Sequence, residues 1–138
     1  PSPRPWTSRW CCCAWWTAPF PFAWARQVLE QYVRIRDFYY GDYYPLTSYS
    51  QAADVWMAYQ LNRPETGDGL VVALRRPESP YEGCRLPLQG LDAAAAYLVT
   101  NLDTVESVRV TGQALISPGL RVAIPEKPGS ALWTYRKQ

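Results

Sequence analysis

The sequence predicts a mainly β protein: an antiparallel β-sandwich of about seven to eight strands preceded by one amphipathic helix. Three observations carry this. Apolar residues recur at three-to-four spacing across residues 24–40. From Asp54 onward the period changes to alternation, in runs short enough to be strands. The 13 prolines and 8 glycines supply the turns that so many short strands need.

The helix is "WARQVLEQYVRIRDFYY", residues 24–40. Trp24, Val28, Leu29, Tyr32, Ile35 and Tyr39 form its apolar stripe, which reads as core. Arg26, Gln27, Glu30, Arg34 and Asp37 take much of the other face, and Gly41 is the natural stop. Residues 41–53 form a Tyr-rich linker, and "FYYGDYYPLTSYS" across this junction holds five tyrosines.

Residues 54–138 supply the sandwich. In 54–62, "DVWMAYQLN", alternation puts Val55, Met57, Tyr59 and Leu61 on one face. "RPETGDG" turns the chain into a second strand at 69–76, and 84–90 is a third, with Pro87 suited to an edge. Runs 95–103 and 105–112 make a hairpin joined near 101–104. "TGQALISPGL" reads as one helical turn capped by Thr111 that drops Leu115 into the core. Runs 119–125 and 130–136, joined by "EKPG", complete the set.

Residues 1–23 stand apart. They hold four of the seven Trp, three of the four Cys and five of the 13 Pro, with no Val, Ile, Leu, Gly, Lys or acidic residue. A globular segment without Val, Ile or Leu is far from average usage. Arg, Pro, Ser, Trp and Cys are what an off-frame reading of GC-rich DNA produces, and the segment is expected to be frameshifted or disordered. Three other readings compete: a signal peptide, a native arm packed on the domain, and a metal site at Cys11, Cys12 and Cys13, which lacks the usual ligand spacing. A disulfide from one of the three to Cys84 stays open. Pro1 in place of Met suggests a processed product or a fragment.

Function classes narrow quickly. Fourteen basic residues against 12 acidic ones give no basic face for nucleic acid. The longest uncharged stretch, residues 10–25, is too short and too proline-broken to span a membrane. Without histidine there is no Ser/His/Asp or Cys/His constellation, and no glycine-rich phosphate loop precedes a helix. No catalytic residue, cofactor or metal is expected. The carboxylates read as turn and capping residues. Arg75 and Arg76 read as a solvated strand end, with a carboxylate or phosphate contact as the alternative. Tyr40, Asp42, Tyr43, Tyr44 and Trp56 are the candidates for sugar contact or for an interdomain joint, since tyrosine and tryptophan faces serve either purpose.

From Trp24 to the last residue the chain resembles the C-terminal end of a glycoside hydrolase family 36 α-galactosidase of the melibiase type. The ordered string carries the resemblance: Tyr43-Tyr44-Pro45-Leu46-Thr47, Trp56-Met57-Ala58-Tyr59-Gln60, Arg63-Pro64, Gly67-Asp68-Gly69, Arg75-Arg76-Pro77-Glu78, Asn101-Leu102-Asp103-Thr104 and Pro128-Gly129-Ser130-Ala131-Leu132. Residues 1–23 take no part in it. In such enzymes a (β/α)8 barrel carries two catalytic carboxylates near the ends of its strands, and a β-sandwich follows the last barrel helix. The resemblance implies that 24–40 is that helix, that 54–138 is the sandwich and that the chain begins after the catalytic strands. It implies a non-catalytic piece whose partner is the absent barrel, with self-association through an orphaned helix face as a consequence. The alternative function is a stand-alone carbohydrate-binding module. Localisation is open between cytoplasmic, the favoured reading, and secreted.

Overall fold

The computed structural model describes residues 21–138. The readings of the first segment as off-frame, as a metal site at Cys11, Cys12 and Cys13, or as a disulfide partner of Cys84 fall on residues outside the described range. The described residues fall into two units that meet between Arg34 and Ile35.

Helix α1 (Phe22–Ile35), whose last residue belongs to the second unit, begins two residues earlier than its pattern predicts, with the Pro21 carbonyl accepting the first helical hydrogen bond from Ala25 N at 3.0 Å. The helix tightens to a 3₁₀ turn over Arg36–Tyr40, the usual way a helix end shortens its last hydrogen bonds. Gly41 then stops it with an extended backbone, ψ 178°. Glycine is required there by space: a Cβ would sit 2.5 Å from the Asn62 carbonyl oxygen.

The predicted core stripe of α1 is a correction. Only Ile35 is buried, whereas Trp24, Val28, Leu29, Tyr32 and Tyr39 are exposed. The pattern identified the helix correctly, but an amphipathic pattern does not say whether the covering surface lies within the same chain.

The second unit is the sandwich. Its strands are β1 (Asp42–Pro45), β2 (Trp56–Arg63), β3 (Asp68–Arg75), β4 (Gly83–Leu86), β5 (Ala96–Asn101), β6 (Ser107–Thr111), β7 (Leu120–Ala123) and β8 (Gly129–Lys137). Six form one antiparallel sheet in the order β1-β2-β3-β8-β5-β6, and β4 pairs with β7 in a second. The stretch expected to be only a linker thus carries a strand: Tyr43 and Tyr44, good strand formers, pair with Leu61 and Gln60 on β2. Pro45 ends this edge strand, where a missing N–H costs least.

The core lies between the two sheets, where Val71, Ala73, Val99, Ala131 and Tyr135 meet Leu86, Leu120, Val122 and Ile124. The hairpin turn between β2 and β3 is fixed by a two-point contact from Arg63 to Asp68, at 2.9 and 2.7 Å. Thr111 caps the short helical turn Gly112–Ala114 by accepting a hydrogen bond from Ala114 N at 3.3 Å, and Leu115 is 1% exposed, as the pattern predicts.

A second cluster covers the outer face of the large sheet. Leu61, Leu70 and Val72 pack there with Ile35 and Phe38, flanked by Tyr59, Leu74, Leu102 and Leu132. Strand β2 is therefore covered on both faces at its middle. The predicted alternation of Met57, Tyr59 and Leu61 holds, but the polar positions between them lie deeper, with Gln60 0% and Asn62 3% exposed.

Candidate functional site

The five candidate residues do not form one platform. Tyr43 and Tyr44 are consecutive in β1, so their rings point to opposite faces of the sheet. Tyr44 lies on the inner side, its hydroxyl 3.3 Å from where a Cβ on Gly90 would stand. Tyr43 lies on the outer side, its ring 5.6 Å from that of Tyr59. Tyr40 is 91% exposed at the end of the 3₁₀ turn, and Asp42 is exposed. Trp56 is half-buried at the start of β2, where its indole N–H donates to the Tyr81 carbonyl at 3.2 Å.

Two surfaces result. The first is an aromatic patch on the outer face, where Tyr59 lies beside Tyr39 and its ring stands tilted against that of Tyr43. Burial, with the neighbouring Tyr39 and Tyr43, pushes the Tyr59 hydroxyl up to about 12. Beside it the Arg63 guanidinium lies 4.4 Å over the Phe38 ring, a cation–π contact. Sequence reading missed Tyr39 and Tyr59 as members of this patch. The alternation along β2 was the available signal, since it puts Tyr59 on the same face as Leu61, the residue that pairs with Tyr43.

The second surface is a groove of about 140 Å³ at the end of β1, lined by Tyr43, Tyr49, Trp56, Met57 and Arg76. It joins two of the candidates, Tyr43 and Trp56. Two of its polar side chains are occupied: Arg76 donates to the carbonyls of Ser50 (2.7 Å) and Ala52, and the Thr47 hydroxyl accepts from Ala58 N at 3.0 Å. It offers ring faces for stacking rather than groups that move a proton.

Arg75 corrects both of its sequence readings. It is 4% exposed and donates to the carbonyls of Ile124 (2.7 Å), Pro125 (2.7 Å) and Ser79 (3.2 Å). A guanidinium suits this task because its fork of N–H groups reaches several carbonyls at once. Among the described residues Cys84 is a free thiol, and burial pushes it up to about 11, away from the reactive thiolate. No group of metal-ligating side chains stands together among the described residues, and none of their helices is long and apolar enough to cross a membrane.

Beneath the surface runs a polar network. The Gln60 amide donates to the Tyr135 hydroxyl (2.7 Å) and to the Gln89 carbonyl (2.8 Å), and its oxygen accepts from Gln89 N (2.8 Å). Tyr135 donates onward to Asn62 Oδ1 at 2.8 Å. Burial holds the Tyr135 hydroxyl well above its ordinary value, so it acts as a neutral donor. Gln60 thereby clips the segment after β4 to the sheet.

No protein-family model matches the chain, and no curated protein does. Solved structures do. The family 36 α-galactosidase AgaA of Geobacillus stearothermophilus superposes with TM-score 0.65 and 21% identity, over 81% of this chain and 15% of that one. The family 36 α-galactosidase AgaB of the same organism gives 0.61 and 23%, with the same coverage. This chain has the fold of one part of these α-galactosidases. The galactosidase domain of the α-galactosidase-sucrose kinase AgaSK repeats the match, with TM-score 0.59, 18% identity and the same shares. The chain thus spans about 15% of the length of the α-galactosidases whose fold it shares.

Proposed function

We propose that this chain is the non-catalytic C-terminal β-sandwich domain of a family 36 α-galactosidase-type glycoside hydrolase, preceded by the last helix of its catalytic barrel. One observation carries the reading: 81% of the chain superposes on only 15% of each enzyme, with TM-scores of 0.59 to 0.65. The ordered motifs from Tyr43-Tyr44-Pro45 to Pro128-Gly129-Ser130 support it, as does the change from helical to alternating period on either side of Gly41. So does α1, whose apolar residues stay exposed and suit a docking role.

On this reading the sandwich supports the barrel by burying apolar surface against it, and the tyrosines around Gly41 fill the joint with their hydroxyls at its wet edge. Catalysis belongs to the barrel's two carboxylates, with retention at the anomeric carbon. The pure chain is expected to leave a chromogenic α-galactoside intact. Hydrolysis that co-purifies with the chain would overturn the assignment.

A further inference from the structure

Strands β4 and β7 set two arginines directly opposite each other: Arg85 pairs with Arg121 in the register of the small sheet. The Ile124 N–H donates to the Glu82 carbonyl at 2.8 Å, which makes these two a hydrogen-bonded pair. By alternation along the ladder, Arg85 and Arg121 then form a non-hydrogen-bonded pair, the closer kind, with Cα atoms about 4.5 Å apart. Both side chains leave the outer face, since Cys84, Leu86, Leu120 and Val122 take the core side. Like charges directly opposite weaken a sheet. Neither guanidinium has a hydrogen-bond or ion-pair partner among the described residues. Glu82, the nearest acidic residue along the strand, falls with Ile124 on the opposite face. Arg63, Arg75 and Arg76, by contrast, are each held by acceptors of this chain.

The pair is open to a ligand. Arg85 and Arg121 are exposed, and their outer-face neighbours Gly83 and Ala123 rise no higher than a methyl group. Ile35 and Phe38 pack on the far side of the sandwich, on the outer face of the large sheet, so the two arginines stand clear of them. We propose that Arg85 and Arg121 form an anion site for a phosphate monoester. Its dianion carries about two negative charges and matches the two guanidiniums, and its three free oxygens accept N–H groups from both at once. A carboxylate brings one charge and two oxygens and leaves one cation unmatched. A phosphate seated between them turns the cross-strand repulsion into attraction to a shared charge. The site goes beyond the glycosidase reading and does not rest on it.

Titration of the whole chain with methyl phosphate tests it, read on the arginine Nε–H signals by nuclear magnetic resonance. The titration is run at constant ionic strength and about pH 8, where the phosphate is fully dianionic. The signals of Arg85 and Arg121, identified by their loss in Arg85→Gln and Arg121→Gln, are expected to shift together along one saturable curve. Each substitution is expected to weaken binding by about tenfold. Methyl sulfate, of the same shape but with one negative charge, is expected to bind more weakly by a similar factor. No saturable shift, or affinity that both variants retain, overturns the site. Equal affinity for methyl sulfate overturns the charge match on which the ligand class rests. A hexose phosphate and a phosphoserine peptide are titrated alongside. Tighter binding of the first names a free sugar phosphate as the source, and of the second a phosphorylated polypeptide; either supports the site. Without phosphate, each variant is expected to melt slightly above the parent, because the like-charge contact is relieved. A lower melting temperature in both overturns the reading of the two arginines as an unmatched pair.

Discussion

The Tyr135 hydroxyl on β8 crosses over Gly69 on β3 to reach Asn62 on β2, at 2.8 Å. The three residues stand in one row: Asn62 pairs with Gly69 and Gly69 with Tyr135. The missing side chain at Gly69 is the lane through which the ring lies. A Cβ there would stand 2.1 Å from the Tyr135 oxygen and 2.5 Å from the Leu61 carbonyl oxygen. Gly69→Ala is therefore expected to displace the ring and cost about 3 kcal/mol, from overpacking plus broken buried hydrogen bonds. Urea unfolding of the variant beside the parent measures it, and equal midpoints would refute the row.

Gln60 is expected to be as sensitive. Gln60→Met keeps the volume but leaves the Gln89 N–H and carbonyl and the Tyr135 hydroxyl without their partner. The loss is expected at about 2–4 kcal/mol. Faster hydrogen exchange at Gln89 N would separate loss of the clip from a general loosening.

This network marks the limit of the sequence reading. Alternation identifies β2, yet polarity does not mark its buried side: the polar Gln60 and Asn62 are more deeply buried than the apolar Met57. Their partners lie 29 and 73 to 75 positions away, beyond any local pattern. The Thr111 cap and the Leu115 anchor were legible because both depend on spacing within a few residues. Tyr43 and Tyr44 looked like one platform because composition counts rings and ignores which face each takes. Arg75 was missed for the converse reason: its acceptors are backbone carbonyls, which leave no mark in a sequence.

The hairpin between β5 and β6 is strained at Val105, a β-branched residue with φ 60°. The side chain is 77% exposed, so little packing is lost on replacing it. Val105→Asn is expected to stabilise the domain by about 1 kcal/mol, because Asn tolerates this backbone region better. A rise in melting temperature checks this; a fall would mean that Val105 makes contacts the strain argument omits.

Asp68 gives the domain a pH dependence on the acid side. Burial pushes its carboxyl up, but the Arg63 and Thr66 hydrogen bonds and the Arg63 charge outweigh burial and hold it below the usual value. A depressed carboxyl contributes stability that is present above its unfolded value near pH 4 and lost as pH falls through the folded one. Asp68→Asn is expected to cost about 1 kcal/mol at pH 7 and progressively less in acid. Stability measured for both proteins from pH 7 to about pH 2 checks this, and a pH-independent difference would show that shape rather than charge matters there.

The groove at Tyr43 and Trp56 is expected to be silent to sugars, since its Arg76 and Thr47 groups are held by backbone partners. Tryptophan fluorescence titrated with galactose or raffinose into the millimolar range checks this. A saturable change lost in Trp56→Ala would make the groove a sugar site in its own right.

The most direct test of the account is the genomic DNA upstream of the Trp24 codon, translated in all three frames. The account predicts that one frame encodes a (β/α)8 barrel, with a carboxylate at the ends of two of its strands, running directly into the helix that contains Trp24. Upstream DNA with no such barrel in any frame would contradict it.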